Sequence, residues 1–205
     1  KLSLVVSMVS GGNLLVLLVL VMLLCIILSS STPTVIAYII VAFVAAPVLV
    51  EMGIPTITAH FFVFYYAILA AVTPPVAGAA MVGCKIAEAG YMKTSWEAFK
   101  LVGPFYLLPY FVIKNPIILT SAQPFAPGFM ALVALLIAMG TMICFFQGFC
   151  LMRLTLVERL LFLVSGLSAT GNGLYGQTTL LILPLIITPL LLGFQWQKRR
   201  RQLVK

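Results

Sequence analysis

The sequence predicts an all-α, polytopic membrane protein containing a re-entrant helical hairpin and a broken transmembrane helix. Three observations carry this expectation. Of 205 residues, 63% are hydrophobic and 8% charged, with mean hydropathy +1.21, whereas a soluble domain carries about 25% charged residues. The apolar residues fall in runs near the length a bilayer requires, about 20 residues per helix. One run, "FFVFYYAILAAVTPPVAGAAMVGCKIAE", holds two consecutive prolines, Pro74 and Pro75, in its middle.

The first elements are residues 13–28, "NLLVLLVLVMLLCIIL", and 35–50, "VIAYIIVAFVAAPVLV". Each is slightly short for a crossing, roughly 24 Å at a rise of 1.5 Å per residue. They meet at "SSSTPT", a polar, proline-containing tip, which predicts a hairpin that enters and leaves by one face. "GIPTITAH" follows as a loop and helix start, with Pro55 near the first turn. The run from about 58 to 88 is too long for one perpendicular helix and is interrupted at "TPP"; two half-helices fit it better. Hairpin 13–50 and broken helix 54–88 thus fill region 1–90.

Residues 91–100, "YMKTSWEAFK", place Lys93, Glu97 and Lys100 at helical spacing around Trp96 and Phe99, the pattern of a short interfacial helix. Region 101–150 holds two further membrane helices, at 101–120 and 129–149. Region 151–205 holds a pair around 156–170 and 178–196, ending in the basic tail "QKRRRQLVK".

Twelve basic residues against four acidic ones give a formal charge of +8. The basic residues lie between apolar runs and at the C-terminal end, which marks a cytoplasmic membrane face rather than a nucleic-acid surface. If the hairpin opens outside, parity delivers Lys85, Lys93, Lys100, Arg153, Arg159, Lys198, Arg199, Arg200, Arg201 and Lys205 to the cytoplasm. Only Lys1 and Lys114 then fall on the outer side. Cys25, Cys84, Cys144 and Cys150 form no Cys-x-x-Cys pair and read as small buried hydrophobes, not as a disulfide framework or metal site. The chain begins with Lys1 and shows no cleavable signal pattern, so it is expected to be an excised or incomplete segment.

A proline inside a helix removes a donor and obstructs the carbonyl one turn earlier, at a cost of about 3 kcal/mol or more. Two in succession also push Pro74 away from helical angles. Carbonyls near Ala70, Ala71 and Val72 are therefore expected to lose partners, which hydrocarbon does not tolerate unless they line protein, water or an ion. Thr73 adds a hydroxyl, and Ala71, Ala77, Gly78, Ala79 and Ala80 permit close backbone approach. The tip supplies Ser29, Ser30, Ser31, Thr32 and Thr34, all neutral oxygen donors. Such a set suits a small hard monovalent cation such as Na⁺, and a half-helix start suits a substrate carboxylate. The bland alternative is a proline kink in a packed bundle, its hydroxyls bonded to their own backbone.

At "STPTVIAYIIVAFVAAPVLVEMGIPTITAHFFVFYYAILAAVTPPVAGAAM", with "MKTSWEAFKLV" and "KNPIIL", the chain resembles the large membrane subunit of TRAP transporters, the tripartite ATP-independent periplasmic uptake systems. It is most similar to fused permeases that work with TAXI-type binding proteins. "LTLVERLLFL" looks like the C-terminal extension of fused members. The resemblance implies half of an inverted-repeat, elevator-type transporter in the bacterial or archaeal cytoplasmic (inner) membrane. A periplasmic TAXI-type solute-binding protein would deliver an organic acid, and Na⁺ would be the coupling ion; no other cofactor is expected. It further implies Ser31, Thr32, Pro33 and Thr34 at the hairpin tip and Thr73, Pro74, Pro75 and Gly78 at the unwound helix, with Thr32 and Thr73 as Na⁺ ligands. Region 1–90 would be a transport-domain repeat, 91–100 an arm helix and 101–150 scaffold helices. The upstream repeat would be a required partner, as would the lipid bilayer. Where the family usually has Gly-Met-Gly-Met-Pro-Thr, this chain has Ser29 to Thr34.

Other signals are weaker. "GNGLYG", Gly171 to Gly176, matches a dinucleotide pattern without a preceding strand and reads as a loop. His60, the single histidine, reads as a packing or interfacial residue. Glu51 is expected to face outer water or the binding protein, Lys114 to extend towards the outer interface, and Glu158 and Arg159 to be solvated near the cytoplasmic boundary. Two other functions remain open: an intramembrane hydrolase using a serine of 29–31 with His60, and a non-transporting membrane scaffold.

Overall fold

The computed structural model describes residues 11–119, 125–175 and 179–203, and those residues are helical with turns between. They divide into two compact units that meet in sequence at Val102 and Gly103.

In the first unit, helix α1 (Leu14–Ser31) starts where the Asn13 side chain accepts from the backbone N–H groups of Leu15 and Val16, satisfying donors the helix cannot. It continues through Ser29, Ser30 and Ser31, which sequence reading assigned to the tip. The reason is local: Ser30 Oγ donates to the Ile27 carbonyl at 2.7 Å and Ser31 Oγ to the same carbonyl at 3.4 Å, so the serines pair with the helix they extend. The connection shrinks to Thr32 and Pro33 before helix α2 (Thr34–Glu51). Each arm is 18 residues, about 27 Å, and both are long and apolar enough to cross a membrane by length and composition. Gly53, at φ +87°, ends α2 as its Ile54 neighbour donates back to the Leu49 carbonyl.

Helix α3 (Thr56–Leu69) packs against both arms. In α2 the buried residues include Ala37, Ala42, Ala45 and Ala46, while Val35, Ile39 and Phe43 are exposed, Phe43 at 84%. Small residues inside and large apolar ones outside is the arrangement of a helix solvated by lipid, where close backbone approach rather than water exclusion drives packing. Helix α4 (Gly78–Ile86) resumes the chain after the break, and α5 (Tyr91–Val102) packs against it. On α5 Glu97 pairs with Lys100 at 2.8 Å.

The second unit begins with a departure from the expected crossing at 101–120. Those residues form a 3₁₀ segment (Gly103–Leu107), the short helix α6 (Leu108–Lys114) and a 3₁₀ turn (Pro116–Ile118). Pro104, Pro109 and Pro116 each remove a backbone donor, and the Asn115 side chain donates to the Phe111 carbonyl at 3.0 Å, closing α6.

Helices α7 (Phe125–Gln147), α8 (Leu156–Tyr175) and α9 (Thr179–Leu203) complete the unit, with α8 packed on both others. Gly171 to Tyr175 are helical rather than a loop; Gly176 lies outside the described residues, as do Lys1 and Lys205. Glu158 and Arg159 are not solvated as expected. Thr155 and Glu158 form a reciprocal cap: Thr155 N–H donates to Glu158 Oε2 at 2.7 Å, and Glu158 N–H to Thr155 Oγ1 at 3.4 Å. Arg159 donates through Nε to the Phe145 carbonyl at 2.7 Å and through Nη2 to that of Phe146 at 3.3 Å, covering the C-terminal carbonyls of α7.

Candidate ion and substrate site at the helix break

Helix α3 stops at Leu69, tightens into a 3₁₀ turn (Ala70–Val72) and opens at Thr73, whose φ of −97° and ψ of 123° are extended. Pro74 and Pro75 follow, joined by a cis peptide, and the buried Ala77 sits in the left-handed region at φ +30° before α4 begins at Gly78. Proline chemistry accounts for the hydrogen bonding. The Ala70 carbonyl, denied Pro74 as a donor, takes Thr73 N–H instead at 3.2 Å. That leaves Leu69 without its ordinary partner, and the Thr73 hydroxyl replaces it, donating to the Leu69 carbonyl at 2.6 Å. The Thr73 carbonyl accepts from Ala77 N–H at 3.0 Å. For Ala71 both the i+3 and i+4 positions are prolines, so its carbonyl has no helical donor.

Tyr91, the first residue of α5, closes the break from outside. Its hydroxyl lies within hydrogen-bond reach of two carbonyls, donating to Pro75 at 2.7 Å and to Val76. Sequence reading missed this residue, because nothing in the local pattern links an arm-helix tyrosine to a turn sixteen residues away.

At the hairpin connection Thr32 Oγ1 donates to the Leu28 carbonyl at 2.8 Å. Ser31 and Pro33 are exposed, and Thr34, half-buried, opens α2. The hydroxyls of Ser30, Ser31, Thr32 and Thr73 thus spend their protons on carbonyls of their own helices. Ser29 differs: its Oγ is buried with no hydrogen-bond partner among the described residues. Helix α1 packs against the Ala70–Val72 turn as well as α3, so the first hairpin arm lies alongside the break. The hydroxyls at the connection and at the break are neutral oxygens. Among the described residues no three His, Cys, Asp or Glu side chains come together to hold a metal.

His60 Nδ1 and the Tyr38 hydroxyl lie 3.0 Å apart, joining α3 to α2. They sit in a groove of about 690 Å³, with Phe43, Pro47, Glu51 and Thr56 also in its wall. His60 therefore shares its ring nitrogen with a tyrosine on the hairpin, while Ser30 and Ser31 donate to Ile27. The serine–histidine pairing that a hydrolase would need is not formed among them. All four cysteines are free thiols.

The sequence pattern of the family described as "Tripartite ATP-independent periplasmic transporter, DctM component" matches residues 1–118. No curated protein and no solved structure matches the chain. The matched region contains both hairpin arms, the helix break and Tyr91. Since the match spans more than half of its length, the chain belongs to the DctM family of these transporters: it is an integral inner-membrane transport component and not an enzyme.

Proposed function

We propose that this protein acts in the Na⁺-coupled uptake of an organic acid, by an elevator mechanism, together with a periplasmic binding protein of TAXI type and an upstream repeat of the permease. The observation that supports it most is the break at Ala70–Ala77, where two consecutive prolines bar the Ala71 carbonyl from helical pairing. In hydrocarbon such groups need a partner, and discontinuous helices are where transporters coordinate ions and substrates.

In this reading the α1–α2 hairpin is re-entrant, Ser31, Thr32, Pro33 and Thr34 face the break, and Pro74, Pro75 and Gly78 shape it. Thr32 and Thr73 ligate Na⁺, and Ser29 joins them as an additional oxygen donor. Na⁺ serves as cargo that neutralises the carboxylate it accompanies. The basic tail is cytoplasmic, following the positive-inside bias.

Uptake by vesicles containing the complete permease and its binding protein tests this reading. A Na⁺ gradient should drive accumulation of the organic acid, and the double variant Thr73→Val, Pro75→Ala should abolish it. Unchanged uptake by that variant would remove this site from the mechanism.

A further inference from the structure

The turn that joins α7 to α8 carries a pair of cysteines that the transport reading does not use. Of the four free thiols, Cys25 and Cys84 are buried in the first unit, whereas Cys144 and Cys150 in the second are half-buried. The backbone brings those two together. Cys144 lies in the last turn of α7, its carbonyl accepts from Gly148 N–H at 3.0 Å, and Gly148 reverses the chain at φ +64°.

Two further backbone bonds hold the returning segment: Cys150 N–H donates to the Met152 carbonyl at 3.1 Å and Leu154 N–H to that of Gly148 at 2.9 Å. Phe149 and Arg153 form an isolated antiparallel bridge across the same turn. The Cys150 thiol is thereby set against that of Cys144, side chain hydrogen-bonded to side chain. A pair so placed differs from a buried single cysteine, because oxidation of one sulfur finds a second thiol in contact to resolve it.

We propose that Cys144 and Cys150 form a reversible redox site, at which a peroxide converts the two thiols into a disulfide that closes residues 144–150 into a ring. Cys150, outside the helix, reacts first. Its sulfur attacks one oxygen of hydrogen peroxide, the O–O bond breaks, and a sulfenic acid and one water result. The Cys144 sulfur then displaces the hydroxyl of that sulfenic acid; its proton leaves with the hydroxyl as a second water, and the S–S bond forms. Two electrons and two protons pass from the thiols to the peroxide. The new bond fastens the turn to the end of α7, where Arg159 already covers the Phe145 and Phe146 carbonyls, and a thiol reductant releases it by exchange.

Peroxide treatment of the full chain in nanodiscs, followed by denaturation, N-ethylmaleimide labelling and intact mass measurement, tests the proposal. Labels should fall from four to two, with a loss of about 2 Da for the hydrogens removed, and dithiothreitol should restore all four. The double variant Cys25→Ser, Cys84→Ser should lose both of its labels under the same treatment. In Cys144→Ser the ring cannot close, so dimedone should capture Cys150 as the sulfenic acid. Four labels on the unaltered protein after peroxide would overturn the proposal whether or not any variant folds. So would a loss of labels that dithiothreitol does not reverse, a peroxide-dependent internal bond in Cys144→Ser, or cross-linking between chains in place of the internal bond.

Discussion

The Tyr91 hydroxyl donates to the Pro75 carbonyl at 2.7 Å, so the first side chain of helix α5 braces the turn that interrupts the membrane helix. It has Val76 within reach as well, and one proton serves two carbonyls. Removing it with Tyr91→Phe keeps the ring and costs about 1 kcal/mol, the worth of an ordinary hydrogen bond. If the brace holds the break in its ion-binding shape, the Na⁺ concentration for half-maximal uptake rises about fivefold. A Na⁺ titration of vesicle uptake reads this directly; an unchanged midpoint would separate the brace from ion binding.

The helix break was legible from covalent chemistry alone, since Pro74 and Pro75 lack the donors that would continue α3. The apolar runs likewise announced membrane helices. What local pattern reading missed has a tertiary or side-chain cause. The serines at 29–31 read as a tip because hydroxyls usually compete with helices, yet Ser30 and Ser31 bond back onto Ile27 and α1 runs through all three. The run at 101–120 is largely apolar apart from Lys114 and Asn115, and its three prolines were the available signal that it would divide. Thr155 and Glu158 stand at the spacing of a capping box, a readable pattern that was passed over in favour of a solvated Glu158. Tyr91 had no sequence signal at all, because its partners, the Pro75 and Val76 carbonyls, lie in the turn of the break.

The Tyr38–His60 contact at 3.0 Å joins the hairpin to α3. Tyr38→Phe and His60→Phe should each destabilise the protein by about 1 kcal/mol, and the double variant by less than the sum, because both remove one interaction. Thermal melts in a single detergent would measure the cycle. Strict additivity would mean that the two side chains contribute independently.

Arg159 covers the Phe145 and Phe146 carbonyls and stands 5.3 Å from the Phe145 ring centroid. Arg159→Met retains much of the stem while leaving both carbonyls without that donor. The expected loss is about 1–3 kcal/mol, seen as faster amide exchange in the last turn of α7. Arg159→Lys should recover only part of it, since one ammonium does not reproduce the planar guanidinium fork. Full recovery by lysine would reduce the contact to charge alone.

Gly166 lies where α8 meets α7, and the space for a side chain is already filled. A Cβ added there would stand 2.9 Å from Met142 Cγ and 3.0 Å from Thr141 Oγ1. Clearing the contact requires Met142 to change its χ1 rotamer inside a packed interface or the two helices to part. Gly166→Ala should therefore destabilise the second unit by about 1–3 kcal/mol, the usual cost of overpacking, despite alanine's better helix propensity. Shortening the opposing side chain supplies the control. Met142→Ala alone should also destabilise, through the cavity it leaves, but combined with Gly166→Ala it should restore part of the loss, a non-additivity of at least 0.5 kcal/mol between contacting sites. Denaturation of the four proteins in one detergent measures that coupling. Simple addition of the two single effects would show that Gly166 is not held small by Met142.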